Sequence, residues 1–289
     1  MNEASRYLRT LAEQVATACI LHTQPQAILL TGSVASGESD PHSDIDLITY
    51  FDELPSPTQL QALHEQLGCE SVLERGRDEG AFVEEYDLQG VECQVLYTTI
   101  QVWEQELTSV LEHFTAKTPV QKAIDGLLHG QPLHGADRIA QWQARARAYP
   151  EGLARAMVQA HLQFFPLWRV QDWVAARDMS LFVYETLVES GYNLLGILAG
   201  LNRVYFAPFR LKRQRAFIER LRIAPSDLAD RLEGLFSADY GAAVAEVERL
   251  VSETVALVEA HMPELDTSPV RQDLGTRRTP WALPPGKDG

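Results

Sequence analysis

Three stretches of the chain carry side chains whose types and spacing could do chemistry. The first is Gly32-Ser33, followed after ten residues by Asp44-Ile45-Asp46. A glycine at position 32 permits a tight turn and a close approach of ligand to backbone. Ser33 adds a hydroxyl beside the N–H groups of a short helix start, a combination suited to phosphate. Asp44 and Asp46 lie two residues apart on a run that reads as a strand, so both carboxylates share one face. Two like charges that close raise each other's pKa unless a cation neutralises them. A hard divalent ion such as Mg²⁺ does this, taking one or two carboxylates together with phosphate oxygens.

The second stretch is residues 81–98, which reads as a hairpin turning at Gln89-Gly90. A two-residue turn pairs Asp87 with Glu92 and Glu85 with Gln94 on one face. The other face is apolar (Phe82, Tyr86, Leu88, Val91, Cys93, Val95), with Glu84 as the exception. Acids opposed across a sheet repel, and a nearby cation would relieve the cost, although a solvated face tolerates them too. The third stretch is a basic cluster, Arg210, Lys212, Arg213, Arg215, Arg220 and Arg222, which suits either a phosphate or open solvent.

The elements that must position these groups follow from periodicity. Residues 4–22 repeat apolar positions at helical spacing, and Ala27-Ile28-Leu29-Leu30 reads as a buried strand breaking at Thr31-Gly32-Ser33. Residues 44–51 read as the next strand and 58–67 as a helix. From Ile100 the period is helical, over 100–115, 119–129, 136–148, 151–175, 178–200, 209–222, 225–236 and 240–261. Pro166 is expected to kink or split the 151–175 segment. The expectation is therefore an α+β chain: a mixed sheet flanked by helices over 1–116, an all-helical domain over 117–262, and a polar, proline-rich tail over 263–289.

The net charge of -15 opposes non-specific binding to nucleic acid and favours a neutral or cationic substrate. Three widely spaced cysteines, Cys19, Cys69 and Cys93, fit neither a disulfide framework nor a zinc knot and read as reduced thiols. No apolar run reaches the ~18 residues needed to span a bilayer. The first residues lack a basic cluster with an apolar segment behind it, so a cytoplasmic protein is expected.

Thr31-Gly32-Ser33, Ala35, Gly37 and Ser43-Asp44-Ile45-Asp46-Leu47 together resemble the motif of the DNA polymerase β-like nucleotidyltransferases. The resemblance implies that Gly32, Ser33 and Ser43 contact a nucleoside triphosphate. It implies Mg²⁺ at Asp44 and Asp46, with a third carboxylate on a later strand. In such relatives the second hairpin arm runs Gly-Val-x-Val-(Asp/Glu). Laid on Gly90-Val91-Glu92-Cys93-Gln94, the acidic position falls on Gln94, so Glu92, two residues earlier on the same face, is the expected third catalytic and metal-binding group, with Asp87 or Gln94 as alternatives. More loosely, Leu198 to Pro208 with Lys212-Arg213 resembles the C-terminal half of bacterial antibiotic, aminoglycoside-type nucleotidyltransferases, which implies that Lys212 and then Arg213 close over the triphosphate. Trp168, Asp172, Trp173 and Asp178 could face a cationic, sugar-like acceptor, or serve the core. Arg155 and His161 have the Arg-x5-His spacing of helical ribonuclease toxins, a spacing common by chance. The implied function is Mg²⁺-dependent transfer of a nucleoside monophosphate, AMP from ATP, to a hydroxyl of a small molecule. A protein acceptor, or a nucleotide-binding module with weak turnover, is the alternative.

Overall fold

The computed structural model describes residues 2–174, 177–208, 211–277, 279 and 281. The chain divides into two compact units, Met1–Leu153 and Ala154–Gly289.

The first unit runs α1 (Glu3–His22), β1 (Ala27–Thr31), α2 (Gly32–Ser36), β2 (Ile45–Phe51), α3 (Pro57–Leu67), β3 (Glu70–Asp78), β4 (Ala81–Leu88), β5 (Val91–Thr99), α4 (Ile100–Leu111), α5 (Val120–His129), β6 (Gln131–His134) and α6 (Ala136–Arg147). Among the described residues the strands form one sheet in the order β3-β4-β5-β2-β1-β6. β2 and β5 run parallel and every other neighbouring pair is antiparallel.

Strand alternation sorts the side chains. One face carries Ile28, Leu30, Ile45, Leu47, Phe51, Phe82, Tyr86, Cys93, Val95 and Tyr97. These pack with Leu8, Leu11, Val15 and Cys19 of α1 and with Leu60 and Leu63 of α3. Glu84, the exception on that face, is 4% exposed, and His64 of α3 meets its carboxylate at 3.0 Å. On the opposite face Tyr50 of β2 meets Trp103 of α4 and Trp142 of α6 at centroid separations of 5.7 and 4.7 Å. Asp46, Glu85, Asp87, Glu92 and Gln94 occupy that face away from this aromatic cluster. Alternation thus leaves these five polar side chains half-buried or exposed.

Two strands escape the periodicity. β3 is exposed at every residue, and an edge strand rich in charge shows no alternation. β6 is four residues long and contains Pro132, which an edge tolerates. β6 matters for the domain boundary. It pairs with β1, and α5 and α6 pack on β1 as well, so the first unit runs to Leu153, beyond the boundary at 116 expected from the sequence.

The second unit is helical among the described residues: α7 (Glu151–His161, begun in the first unit), α8 (Leu167–Val174), α9 (Ser180–Asn202), α10 (Gln214–Ile218), α11 (Leu228–Gly234), α12 (Tyr240–His261) and α13 (Ser268–Gly275). The 151–175 segment is split before Leu167, because Pro166 lacks an N–H and disfavours helix in the residue before it. The helix expected over 209–222 contracts to α10. Asn202 instead accepts from the N–H groups of Arg222 and Ile223 at 2.7 and 2.8 Å, fixing a non-helical turn there. Arg210 lies outside the described residues. In the expected tail, α13 forms and buries Val270. α9 and α12 supply the core through Leu194, Ile197, Leu198, Val247, Val251 and Val255.

α11 is tied to α12 by Arg231, which donates to Glu246 at 2.5 Å and Glu253 at 2.7 Å. Burial pushes the Glu246 carboxyl up, but bonds from Arg231 and Arg249 outweigh it and hold it below the carboxylate range. The bond from Arg231 holds Glu253 below that range as well. A carboxyl with a depressed pKa in the folded state stabilises above its unfolded pKa, and that contribution disappears as pH falls through the folded value. Arg231→Ala should therefore lower the melting temperature at neutral pH. Its deficit against wild type should shrink below about pH 4, where ordinary carboxyls protonate. Thermal melts by circular dichroism across pH read this directly, and a deficit independent of pH would rule it out.

Candidate nucleotide and metal site

β1 ends at Thr31, and the chain enters α2 through Gly32 at φ 68°. That left-handed conformation favours glycine. Space demands it too: a Cβ on Gly32 would lie 2.3 Å from Asp46 Oδ2. The Asp46 carboxylate is thus seated directly over the Gly32 backbone. α2 closes at Gly37 with φ 77°.

α2 and the 37–43 loop after it are held from several directions. Asn2 Nδ2 donates to the Ser39 carbonyl at 2.7 Å, and the Ser39 N–H donates to Ser5 Oγ at 2.9 Å. Gln131 Nε2 of β6 donates to the Ala35 carbonyl at 2.6 Å. The Ser33 hydroxyl lies 3.4 Å from that of Ser39. Ser43, expected at the nucleotide, is engaged locally, where its Oγ accepts from the Asp40 N–H at 2.9 Å. Asn2, Ser5, Ser39 and Gln131 were invisible to sequence reasoning. Their contacts span 34 to 96 residues and follow no local pattern.

Asp46 is the second residue of β2, and Asp44 lies just before that strand; both are half-buried. Asp46 stands opposite Thr31 on β1 and opposite Gln94 on β5. Paired strands lie ~4.8 Å apart, so in-register side chains are neighbours on one face. The hairpin has the expected register, Asp87 against Glu92 and Glu85 against Gln94. The position beside Asp46 therefore belongs to Gln94. Glu92 is exposed, and its Oε1 accepts from Gln94 Nε2 at 2.8 Å. Among the described residues no group of three or more His, Cys, Asp and Glu is gathered to hold a metal ion. The register places Gln94, rather than Glu92, directly beside Asp46: the third strand presents an amide at that position. The donor set still fits a hard divalent cation, with two carboxylates, a neutral amide oxygen and a backbone kept open by Gly32.

Lys212 and Arg213 are exposed and lie just before α10, in the second unit. Arg215 of the same cluster is committed to Asp230 and Glu233. Trp168 is buried, and Trp173 packs with Phe165 and Phe182, so these rings serve the core of the second unit, while Asp172 and Asp178 are exposed. The Arg-x5-His spacing does not form a site. Arg155 pairs with Glu264 at 2.9 Å, whereas His161 is buried, its Nδ1 3.0 Å from Asn193 Oδ1. The cysteines are free thiols. Burial pushes Cys19 and Cys93 up to about 12 and Cys69 up to about 11.

This arrangement of turn, paired aspartates and mixed sheet agrees with the family comparison. Residues 12–110 match the family model of the nucleotidyltransferase domain, so this stretch, less than half of the chain, carries a domain of that class. Such a domain implies a nucleotide substrate. No curated protein matches the chain. Among solved structures, a nucleotidyltransferase-like protein from Exiguobacterium sibiricum 255-15 is similar at 12% identity and a TM-score of 0.41, over 88% of this chain and 81% of that one. No helix among the described residues is long and apolar enough to cross a membrane.

Proposed function

We propose that the chain is a divalent-metal-dependent nucleotidyltransferase that moves a nucleoside monophosphate, AMP from ATP, to a hydroxyl of a small molecule, with aminoglycoside-like compounds as the acceptor class. The observation that carries the reading is Asp46 seated over Gly32, at the turn where the nucleotidyltransferase domain match and the paired aspartates coincide. In this reading Gly32 and Ser33 border the triphosphate, while Asp44 and Asp46 hold Mg²⁺. When bound, the ion neutralises phosphate charge and stabilises the departing pyrophosphate. The acceptor oxygen forms a bond to the α-phosphorus as the bond to the bridging oxygen of the β-phosphate breaks; pyrophosphate leaves with that electron pair, and the hydroxyl proton passes to solvent. Lys212 and Arg213 are proposed to meet the triphosphate as flexible cations. The net charge of -15 favours a cationic acceptor over a polyanion.

A second reading keeps nucleotide binding with weak turnover. It is favoured by Gln94 opposite Asp46, because an amide cannot take the proton of an attacking hydroxyl.

The test is pyrophosphate release from ATP and Mg²⁺ across a panel of small-molecule hydroxyl acceptors, with labelled ATP to reveal any adenylylated protein. Release is expected from wild type and not from Asp44→Ala. Equal release by both would overturn the proposal. Binding of ATP–Mg²⁺ without release from any acceptor would favour the second reading.

A further inference from the structure

The glutamine beside Asp46 has a hydrogen-bond partner on its own strand. Gln94 Nε2 donates to Glu92 Oε1 at 2.8 Å. An ionised carboxylate only accepts, so the amide must present its NH₂ group to Glu92 and turn its carbonyl oxygen away. Gln94 lies in register with Asp46 on the adjacent parallel strand, so the two side chains are neighbours on one face. Asp46 in turn abuts the Gly32 backbone, where a Cβ would meet Oδ2 at 2.3 Å.

We infer that Gln94 supplies a neutral carbonyl oxygen to the cation held by Asp44 and Asp46, and that Glu92 is the positioning residue that keeps this oxygen, rather than the NH₂, on the cation side. The inference rests on the proposed cation site. It gives that site two formal negative charges where a third carboxylate would give three. Affinity for a hard cation falls with ligand charge count, so the site binds its ion weakly. It also separates two tasks: Gln94 can ligate but cannot accept a proton, and Glu92 is spent in orienting the amide. A glutamine at position 92 would lose the orienting effect, since its amide can donate or accept and Gln94 could then present either group.

Titration of the full-length protein with Mn²⁺, followed by the paramagnetic resonance of the free ion, tests this without reference to turnover. The variants are Glu92→Gln, Gln94→Glu and Asp87→Asn. Asp87→Asn removes one charge from the position opposite Glu92 and keeps the oxygen that accepts the Gly90 N–H at 2.8 Å. Gln94→Glu is expected to tighten Mn²⁺ binding. Glu92→Gln is expected to weaken it by about 10-fold, the scale of lost support for a metal ligand. Asp87→Asn should shift it far less. If Glu92→Gln weakens binding no more than Asp87→Asn, Glu92 acts only as a distant charge and the positioning role is overturned. If Gln94→Glu does not tighten binding, position 94 does not face the ion. If wild type binds Mn²⁺ no better than an Asp44→Asn/Asp46→Asn variant, the cation site itself fails, a result the single variants do not mimic.

Discussion

Asp46→Ala is expected to lower metal-dependent nucleotidyl transfer by about a thousandfold. One of two carboxylates carries much of the cation's hold, and a cation clamped on a phosphoryl group is worth several kcal/mol in the transition state, each ~1.4 kcal/mol being tenfold in rate. The fold should survive. Asp46 is half-buried on the sheet face opposite the apolar core that α1 and α3 cover. Removing one carboxylate from a face that also carries Glu85, Asp87 and Glu92 relieves repulsion as well. The measurement is kcat/KM for ATP with Mg²⁺, alongside a thermal melt. An unchanged kcat/KM in a variant that melts like wild type would remove Asp46 from the site.

Gly32→Ala should come close to that loss by a different route. Alanine at φ 68° is strained, and its Cβ would sit 2.3 Å from Asp46 Oδ2. Either the turn or the carboxylate must move. Backbone strain of this kind costs about 1–3 kcal/mol of stability. Displacement of a catalytic group by roughly 1 Å costs about 100-fold in rate. Gly68→Ala separates the two effects. Gly68 has φ 64°, but a Cβ there meets nothing within 4 Å. Gly68→Ala should thus lose stability and keep its rate, while Gly32→Ala loses both. Equal rates in the two variants would show that the turn tolerates a side chain and that the contact with Asp46 has no role in transfer.

Much of the first unit was legible because its signals are local. The helix over 4–22, the strands ending at Thr31 and starting near Asp44, and the hairpin with its Asp87–Glu92 pairing follow from alternation and turn chemistry. The break at Pro166 follows from a missing N–H. β3 and β6 were illegible for the same reason turned round. An edge strand has one neighbour and much solvent, so nothing forces an apolar repeat on Glu70–Asp78, and Gln131–His134 is too short to show one. The first compact unit extends past 116 because β6 returns to β1 across a helical stretch, a pairing that no local pattern announces.

The sequence by itself determined the α+β class, the glycine turn and the spacing that puts two aspartates on one strand face, because period and steric freedom are properties of the chain. Tertiary structure alone decided who stands beside them. The parallel register of β2 and β5 sets Gln94, not Glu92, next to Asp46, and the crossing of β1 into α2 brings the Gly32 backbone under the Asp46 carboxylate. Register is a relation between distant segments, fixed by which apolar face both strands must bury. That relation sets the amide of Gln94 beside the Asp46 carboxylate.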